Sequence, residues 1–476
     1  MQIKTRWALG LVCFVRLWLM PIGSSFWVDE MASIYVVEHG ADDPSLKVAP
    51  QLPQSIYHDV VRLARPGRSE IGYRLPSILF MGVAVWLVAL LTNRLIHPDA
   101  GWFAVFACFS LKGINYQAGN ARPYALGVCV AMAGLYFLAR WLDRRRLWDA
   151  ILFVIFAALL WRVHLIFWAF YVVFVVGALF WRKQMPWWQL AVAFGAVGLL
   201  LIPEAMKAIE LNAHAKDHVV TLQPSLMDLA RSFRFLLVVG AGLGAWIWSR
   251  FAKSSAIAAS TVVPVLAWWL WTPVALYAFS KFTGNSVFTP RNMELSLPGT
   301  AVAATMAAAM FLPARFWKPA ALLMGVCALI SAGNWTTLWP HHHNSDWRAA
   351  TRAVNDLGLP PSTPIICPSP FIEAKPPEWT PDYKLPGFLY AHLSIYPVRG
   401  NVALFPFEAS PEAEDYAVAL VQGAIPASGQ FVIYGTNSSV DFWTGWFERR
   451  SELGGWSHRQ LGRFDDVEAV LFEKAR

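Results

Sequence analysis

The sequence predicts a polytopic α-helical membrane protein with a soluble α/β domain at its C-terminal end. Two observations support this prediction. Hydrophobic residues make up 56% of the 476 residues, with 25 Trp and 31 Phe, which is more than a soluble globular domain contains. They also gather in long runs up to about residue 334, whereas the rest of the chain has only short apolar runs. Most of the chain is therefore expected to lie in a bilayer.

The long apolar runs predict eleven transmembrane helices. A helix needs about 20 apolar residues to cross the hydrocarbon core of a bilayer. By that measure the third and fifth runs are short. The predicted spans are 7–22, 75–95, 101–116, 121–141, 147–161, 165–181, 187–203, 233–248, 257–279, 296–312 and 318–334.

The distribution of basic residues predicts the orientation of these spans. Lys and Arg concentrate in the short cytoplasmic loops of membrane proteins. With the N-terminus inside, the loops on that side contain Arg94, the DRRR run at 143–146 and Arg315, whereas the first outer loop, 23–74, mixes both signs. An odd number of spans then places the C-terminal end outside. The net charge of +8 thus indicates orientation rather than a nucleic-acid partner.

We therefore predict two domains in a bacterial cell inner membrane. Residues 1–338 form the transmembrane domain, with outer loops at 23–74 and 204–232 and a cytoplasmic N-terminus, and residues 339–476 form a periplasmic domain. In the periplasmic part, three apolar runs predict strands and two amphipathic segments predict helices, as in an α/β fold. These segments are PIICPS at 364–369, QFVIYG at 430–435 and VEAVLFEK at 467–474 for the strands, and DWRAATRAVNDL at 346–357 and PEAEDYAVALVQ at 411–422 for the helices.

Polar residues at the ends of the spans indicate where chemistry takes place. Ionisable groups at membrane depth are costly, and those that are tolerated usually mark a pathway or a site. With this orientation, the polar residues at span ends converge on the outer face. They are Asp29, Glu30, Asn115, Gln117, Asn120, Arg122, His164, Lys281 and Arg291.

Five fragments, in order along the chain, resemble one family. They are WVDE at 27–30, YRLPSILFMGV at 73–83, NARPYALGV at 120–128, VHLIF at 163–167 and PRNMELSLP at 290–298. Together they resemble the polyprenyl-phosphate-sugar-dependent glycosyltransferases of the GT-C type, in particular the bacterial branch described as dolichyl-phosphate-mannose protein mannosyltransferase-like. The likeness covers residues 7–298 and is strongest at ARPYAL, 121–126. It implies a GT-C-like membrane fold and a lipid-phosphate donor that presents a hexose or pentose at the outer leaflet.

The resemblance also implies roles for the acids and for three cations. An acceptor hydroxyl or amine attacks the anomeric carbon, and a carboxylate can take its proton. Asp29 is the predicted base, while Glu30, which points elsewhere on a helix, binds the acceptor or orients Asp29. The leaving lipid phosphate needs positive charge, for which we predict Arg291, with Arg122 and Lys281. A single displacement of this kind inverts the anomeric centre.

Five further residues are predicted to bind substrate or line the cavity, and the chain departs from its relatives at two points. Relatives often have an acidic residue where this chain has Asn120, and a basic residue or His before two prolines where it reads LPQSIYH, 52–58. These differences leave acceptor class and metal dependence open; no cofactor is assigned, and a divalent metal is compatible with the sequence. The predicted cavity residues are Asn120, Tyr124, His164, His58 and Arg74.

Other interpretations stay open beside this one. Asp29 and Glu30 also fit a role as solvated charges at the end of the first helix, and the arginines fit interfacial anchors. A transporter or lipid flippase is a second functional class, but its sites lie near the midplane, often between inverted repeats, and no repeat is visible here. A third is a catalytically impaired relative that acts through its soluble tail. The predicted partners are the bilayer, a polyprenyl-phosphate-linked sugar and a lipid, glycan or protein acceptor.

Overall fold

The computed structural model of the chain describes residues 2–64, 67, 69–214, 222–250, 256–343 and 345–475. By their contacts they form two compact units. The first consists of Met1–Ile22 and Gln54–Pro340, and the second of Gly23–Pro53 and His341–Arg476. The first part of the predicted outer loop 23–74 thus belongs to the same unit as the C-terminal part of the chain. Parts of the predicted outer loops, residues 65, 66 and 68 and residues 215–221, lie outside the described residues.

The chain is helical up to the C-terminal sheet. A π-helical turn, Val15–Leu19, follows the first helix, and two 3-10 helices, Leu165–Phe170 and Pro290–Ser296, precede membrane helices. The α-helices of this part are α1 Gln2–Phe14, α2 Val28–His39, α3 Ile56–Ala64, α4 Glu70–Leu95, α5 Gly101–Ser110, α6 Lys112–Ala118, α7 Tyr124–Arg144, α8 Leu147–Val163, α9 Tyr171–Trp181, α10 Trp187–His214, α11 Leu226–Ser232, α12 Phe235–Trp248, α13 Ala259–Thr283, α14 Leu297–Ala309 and α15 Trp317–Ala332.

The structure confirms a polytopic helical membrane protein, with helices long enough to cross a membrane at six of the eleven predicted spans. A helix lies at each of the eleven predicted positions. Among the described residues, six are long and apolar enough to cross a membrane, judged by length and composition: Lys4–Gly23, Glu70–Leu95, Tyr124–Arg144, Trp187–Leu211, Ala259–Thr283 and Ala314–Ala332.

The other five predicted spans are occupied by α-helices of at most 17 residues, and two of these spans are interrupted. The predicted span 101–116 is interrupted at Leu111, whose extended backbone (φ −89°, ψ 106°) separates α5 from α6. The predicted span 165–181 begins as a 3-10 helix before α9. At the remaining positions α8, α12 and α14 are continuous but have only 17, 14 and 13 residues. A count of apolar residues does not detect such breaks, since they depend on backbone conformation.

Helix α7 is the most buried of the candidate spans, with 78% of its apolar window inside the protein. It packs against α4, α8 and α9. Close approach depends on small residues: a Cβ at Gly134 would lie 2.8 Å from the ring of Phe174, and one at Gly127 would collide with the ring of Phe167. Small residues at such crossings are usual between membrane helices. The packing fixes the start of α7, where the ARPYAL motif lies.

The second unit is built on a five-stranded sheet with strand order β2-β1-β3-β5-β4. Strand β1 pairs in parallel with β2 and β3, while β5 runs antiparallel to β3 and β4. The predicted α/β fold is confirmed, and β2 and β4 are additional strands. The elements are β1 Pro364–Pro368, β2 Asn401–Phe405, β3 Gln430–Thr436, β4 Trp456–Phe464 and β5 Val467–Lys474, with α16 Trp347–Asn355, α17 Ala391–Ile395, α18 Pro411–Gln422, α19 Ala424–Ser428 and α20 Asn437–Glu448.

Residues 23–53 join this second unit through specific contacts. Helix α2 packs against α17. The backbone N–H of Phe26 donates to the hydroxyl of Tyr396 at 2.8 Å, and that of Phe388 donates to Ser45 Oγ at 3.1 Å. The Arg348 guanidinium donates to the carbonyl of Gly23 at 2.9 Å. The α/β domain therefore holds the segment that carries the predicted acids.

Candidate active site

Asp29 and Glu30 lie in the first turn of α2. The π-helical turn after α1 ends at Leu19, and α2 begins separately at Val28. The interpretation of Asp29 and Glu30 as charges at the end of the first helix is therefore wrong. Because a helix N-terminus carries partial positive charge, it favours acidic side chains in this position.

The two acids differ in their surroundings. Glu30 is fully buried, and its Oε2 accepts from the backbone N–H of Trp27 at 3.4 Å, as in a capping box. The same oxygen lies 3.7 Å from His343 Nε2. Asp29 is only half-buried. Glu30 is thus tied to the start of α2, and Asp29 is the more accessible carboxylate.

In the first unit, the start of α7 brings an arginine, a tyrosine and a histidine together. The Arg122 guanidinium lies 5.8 Å from the centroid of the Tyr124 ring, at cation–π range. The Tyr124 ring stacks on the imidazole of His164 with their centroids 5.4 Å apart. His164 follows α8, and its Nδ1 accepts from the N–H of Ile166 at 3.3 Å. Three predicted site residues therefore converge from two elements.

Electrostatic effects show that Arg291 and His58 belong to the same neighbourhood. His164 is partly buried; its removal from water, together with the charges of Arg122 and Arg291 and the neighbouring His58, lowers the pKa of its imidazole to about 3. Burial and the charges of Arg122 and Arg62 lower the pKa of His58 to about 3 as well, against a hydrogen bond with the Ser55 backbone. Both imidazoles are therefore neutral at physiological pH.

We refer to Arg122, His164, Arg291 and His58 as the arginine–histidine cluster. His58 reaches it from α3, whose start is fixed by Ser55: its hydroxyl donates to the carbonyl of Val163, at the end of α8, at 2.5 Å. Within the described residues His58 Nδ1 has no hydrogen-bond partner. Two guanidinium charges and two neutral imidazoles together make an arrangement suited to an anion such as a phosphate.

Two other predicted site residues make different contacts. Arg74 is fully buried in α4, and its Nη1 donates to the carbonyl of Ile22 at 2.8 Å. Lys281 is exposed in the last turn of α13, with its ammonium 5.8 Å from the centroid of the Tyr277 ring. Neither contact involves a member of the arginine–histidine cluster.

The sequence analysis missed Glu294. This acid is buried in the 3-10 helix Pro290–Ser296, and its Oε1 accepts from Gln117 Nε2 at 3.5 Å. Gln117 Oε1 in turn accepts from Asn120 Nδ2 at 3.1 Å. Burial raises the pKa of Glu294 to about 8, against the hydrogen bond from Gln117 and the charge of Arg234. The signal in the sequence is an acid three residues after Arg291, inside the fragment PRNMELSLP at 290–298.

The described residues contain no group of three or more His, Cys, Asp or Glu side chains placed to hold a metal ion. Two residues of the histidine triplet at 341–343 make structural contacts: His343 faces Glu30, and the backbone N–H of His342 donates to Ser24 Oγ at 3.2 Å. These contacts hold the start of the C-terminal segment against residues 23–30.

Comparisons with known proteins establish the fold. No family model matches the chain, and no curated protein sequence is similar to it at a significant level. Two solved structures of ArnT from Cupriavidus metallidurans are similar, each covering 98% of this chain and 97% of that chain with a TM-score of 0.56. The apo structure is 14% identical, and the one bound to undecaprenyl phosphate is 12% identical. At these identities the likeness concerns the fold, and over almost its whole length the chain has the GT-C-type membrane fold that its sequence predicts.

Proposed function

We propose that the protein is an inverting membrane glycosyltransferase that moves a hexose or pentose from a polyprenyl-phosphate donor to an acceptor outside the cytoplasm. The observation that carries this proposal is the arginine–histidine cluster at the start of α7. ArnT, which shares the fold, has been seen with undecaprenyl phosphate bound. The acceptor offers a hydroxyl or amine on a lipid, a glycan or a protein.

In this proposal the cluster binds the donor phosphate. Arg122 and Arg291 supply two permanent positive charges, since a guanidinium keeps its proton at any physiological pH. Neutral His58 and His164 add hydrogen-bonding nitrogens without adding charge. In the transition state the bond from the anomeric carbon to the phosphate oxygen breaks and negative charge grows on the leaving phosphate. Fixed positive groups stabilise that charge more strongly than they stabilise the bound donor.

We propose Asp29 as the general base. Its carboxylate takes the proton of the acceptor hydroxyl or amine while the acceptor atom bonds to the anomeric carbon. The electron pair of the broken bond leaves with the lipid phosphate, so no covalent enzyme intermediate forms and the anomeric centre inverts. Glu30 is better suited to holding α2 than to proton transfer, because its Oε2 already accepts from Trp27 and faces His343.

The function is tested by transfer from a radiolabelled polyprenyl-phosphate sugar with full-length protein in nanodiscs. We expect transfer by the wild type and, for Arg291→Ala, donor binding weakened by about ten- to a hundredfold, as for loss of a charged hydrogen bond. Arg315→Ala is the matched control, because Arg315 lies beside Phe316 at the opposite end of α14. If donor binding by Arg291→Ala equals that of the wild type, the phosphate assignment is wrong.

We also propose that the N-terminus is cytoplasmic and that the α/β domain is periplasmic. This follows from the basic residues of the short loops. Exposed cysteines introduced as Glu412→Cys in α18 and Arg144→Cys at the end of α7 test it with a membrane-impermeant maleimide on intact cells. We expect labelling at position 412 and protection at position 144. The reverse pattern contradicts the orientation.

A further inference from the structure

Glu294 is a buried acid that the proposed reaction does not use. It is 3% exposed and lies three residues after Arg291 in the 3-10 helix Pro290–Ser296. Side chains three residues apart are eclipsed in a 3-10 helix. The helix that presents Arg291 to the arginine–histidine cluster therefore also carries Glu294.

A chain of hydrogen bonds leads from Glu294 to the other arginine. Its carboxyl accepts from Gln117, which accepts from Asn120. The carbonyl of Asn120 accepts from the backbone N–H of Arg122 at 2.8 Å. Gln117 and Asn120 are both about 1% exposed, so water does not compete for these bonds. The chain thus joins the segment of Arg291 to the turn of Arg122, although Gln117 and Glu294 are 177 residues apart in sequence.

The space around the carboxyl is closely fitted. A Cβ at Gly113 of α6 would lie 3.0 Å from both carboxyl oxygens of Glu294 and 2.6 Å from the side chain of Leu297. Helix α6 approaches the 3-10 helix this closely only because residue 113 has no side chain. Glu294 Oε2 has no hydrogen-bond partner in the part of the chain that the structure describes, and there Gln117 alone holds the carboxyl through a hydrogen bond.

We propose that Glu294 is a positioning residue of the donor site, which through Gln117 and Asn120 fixes the Arg122 turn relative to the helix that carries Arg291. The inference rests on the proposed function, because it takes these two arginines as the phosphate ligands. It also gives a physical role to Asn120, which stands where relatives often have an acid: here the carboxyl comes from a different segment, and the amide links to it.

The raised pKa of Glu294, about 8, is consistent with this role. A carboxyl that keeps its proton at neutral pH accepts a hydrogen bond without adding a negative charge to this part of the protein. An ionised carboxylate in the same place would add a negative charge to the helix that carries Arg291, and this charge would oppose binding of an anionic donor.

The test measures binding of a polyprenyl phosphate and transfer kinetics with full-length protein in nanodiscs. We expect Glu294→Ala and Gln117→Leu each to raise the donor Kd about five- to tenfold, as for loss of one buried hydrogen bond, with kcat at saturating donor nearly unchanged. Glu294→Gln keeps the acceptor oxygen and should stay within about twofold of the wild type. The double variant Glu294→Ala/Gln117→Leu should bind the donor with the same Kd as either single variant, since each substitution removes the same hydrogen-bonded link.

Asp149→Asn is the matched control. Asp149 is another buried acid, but it lies in the first turn of α8, at the opposite end of that helix from His164, and pairs with Arg140 at 3.2 Å. We expect its donor Kd to equal that of the wild type. If Glu294→Ala fails to fold, the donor Kd values of Gln117→Leu and Glu294→Gln still test whether the link through Gln117 supports donor binding.

Three outcomes contradict the inference in different ways. A wild type that binds donor, with Glu294→Ala and Gln117→Leu binding equally well, overturns the positioning role alone. A collapse of kcat in Glu294→Gln with unchanged Kd assigns Glu294 to proton transfer instead. A wild type that binds no polyprenyl phosphate overturns the proposed function and, with it, the inference.

Discussion

The start of α2 and the arginine–histidine cluster are assembled in opposite ways. Asp29 and Glu30 are neighbours on one helical turn, and the Glu30 side chain caps that turn by accepting from the backbone N–H of Trp27. The cluster instead collects His58, Arg122, His164 and Arg291 from four segments spread over more than 200 residues. The first region is a local structure within the second unit, and the other exists only through the packing of the first unit. Substitutions should therefore alter proton transfer and helix stability in the first region, and donor binding in the second.

The largest expected effect is the loss of transfer rate in Asp29→Asn. Removal of a general base typically lowers kcat by about 10²- to 10⁴-fold. Asn is also tolerated near a helix N-terminus, so α2 should persist, and the donor Kd should not change. Transfer and binding are measured side by side on the same preparation. The control is Glu38→Gln, an exposed acid in the last turn of the same helix, which should transfer at the wild-type rate.

A fall in donor affinity with Asp29→Asn, at unchanged kcat, would contradict the separation of proton transfer from donor binding, because Asp29 would then have a binding role. Equal rates for Asp29→Asn and the wild type would remove Asp29 from the reaction.

A smaller effect is expected when pH changes the ionisation of Glu294 and, through it, the affinity for the donor. Glu294 has a pKa of about 8, above the usual value of a glutamic acid, so it is neutral below that pH and becomes an anion above it. Of the charged groups, Arg234 acts on its carboxyl. Arg291 lies on the same helix, and the elements packed against that helix bring Arg122 just before α7, Lys112 in α6 and Lys281 in α13. A phosphodiester donor keeps its negative charge throughout. Donor Kd should therefore rise severalfold between pH 7 and pH 9.

This pH dependence has an internal control. Glu294→Gln cannot ionise, so its donor Kd should be flat over the same range. His58 and His164 do not contribute, because their pKa values near 3 leave them neutral at both ends. A wild-type Kd that is constant from pH 7 to pH 9, or an equal rise in Glu294→Gln, is the contradicting result.

The smallest effect is expected at Glu30. Glu30→Ala removes the side chain that caps α2 and should lower the free energy of unfolding of the second unit by about 1 kcal/mol. Glu30→Gln preserves the cap, since Gln also serves in a capping box. Thermal unfolding followed by tryptophan fluorescence compares the two. A transfer rate for Glu30→Gln near that of the wild type supports the assignment of proton transfer to Asp29 and of helix capping to Glu30. A large loss of kcat would instead show that Glu30 takes part in catalysis.

Several residues of the site can be predicted from the sequence. Arg122, His164 and Arg291 are predicted at the outer face of the membrane, and Tyr124 and His58 are predicted cavity residues. The structure brings these five residues into one neighbourhood. Polar residues at the ends of apolar runs are costly to place elsewhere, which is why simple inspection finds them. The hydrogen-bond chain from Glu294 cannot be predicted from the sequence, because it depends on how α6, α7 and the 3-10 helix Pro290–Ser296 pack.

The sequence by itself determined the membrane class, the positions of the helices and the α/β character of the tail, since hydropathy and the alternation of apolar residues are local properties of the chain. Tertiary structure alone decided that residues 23–53 join the C-terminal unit, that the two acids open a separate helix, and that the predicted span 101–116 is interrupted at Leu111. It also decided that a buried carboxyl links the segments of Arg122 and Arg291. These features depend on contacts between distant residues and on backbone breaks, and neither leaves a period or a run of apolar residues in the sequence.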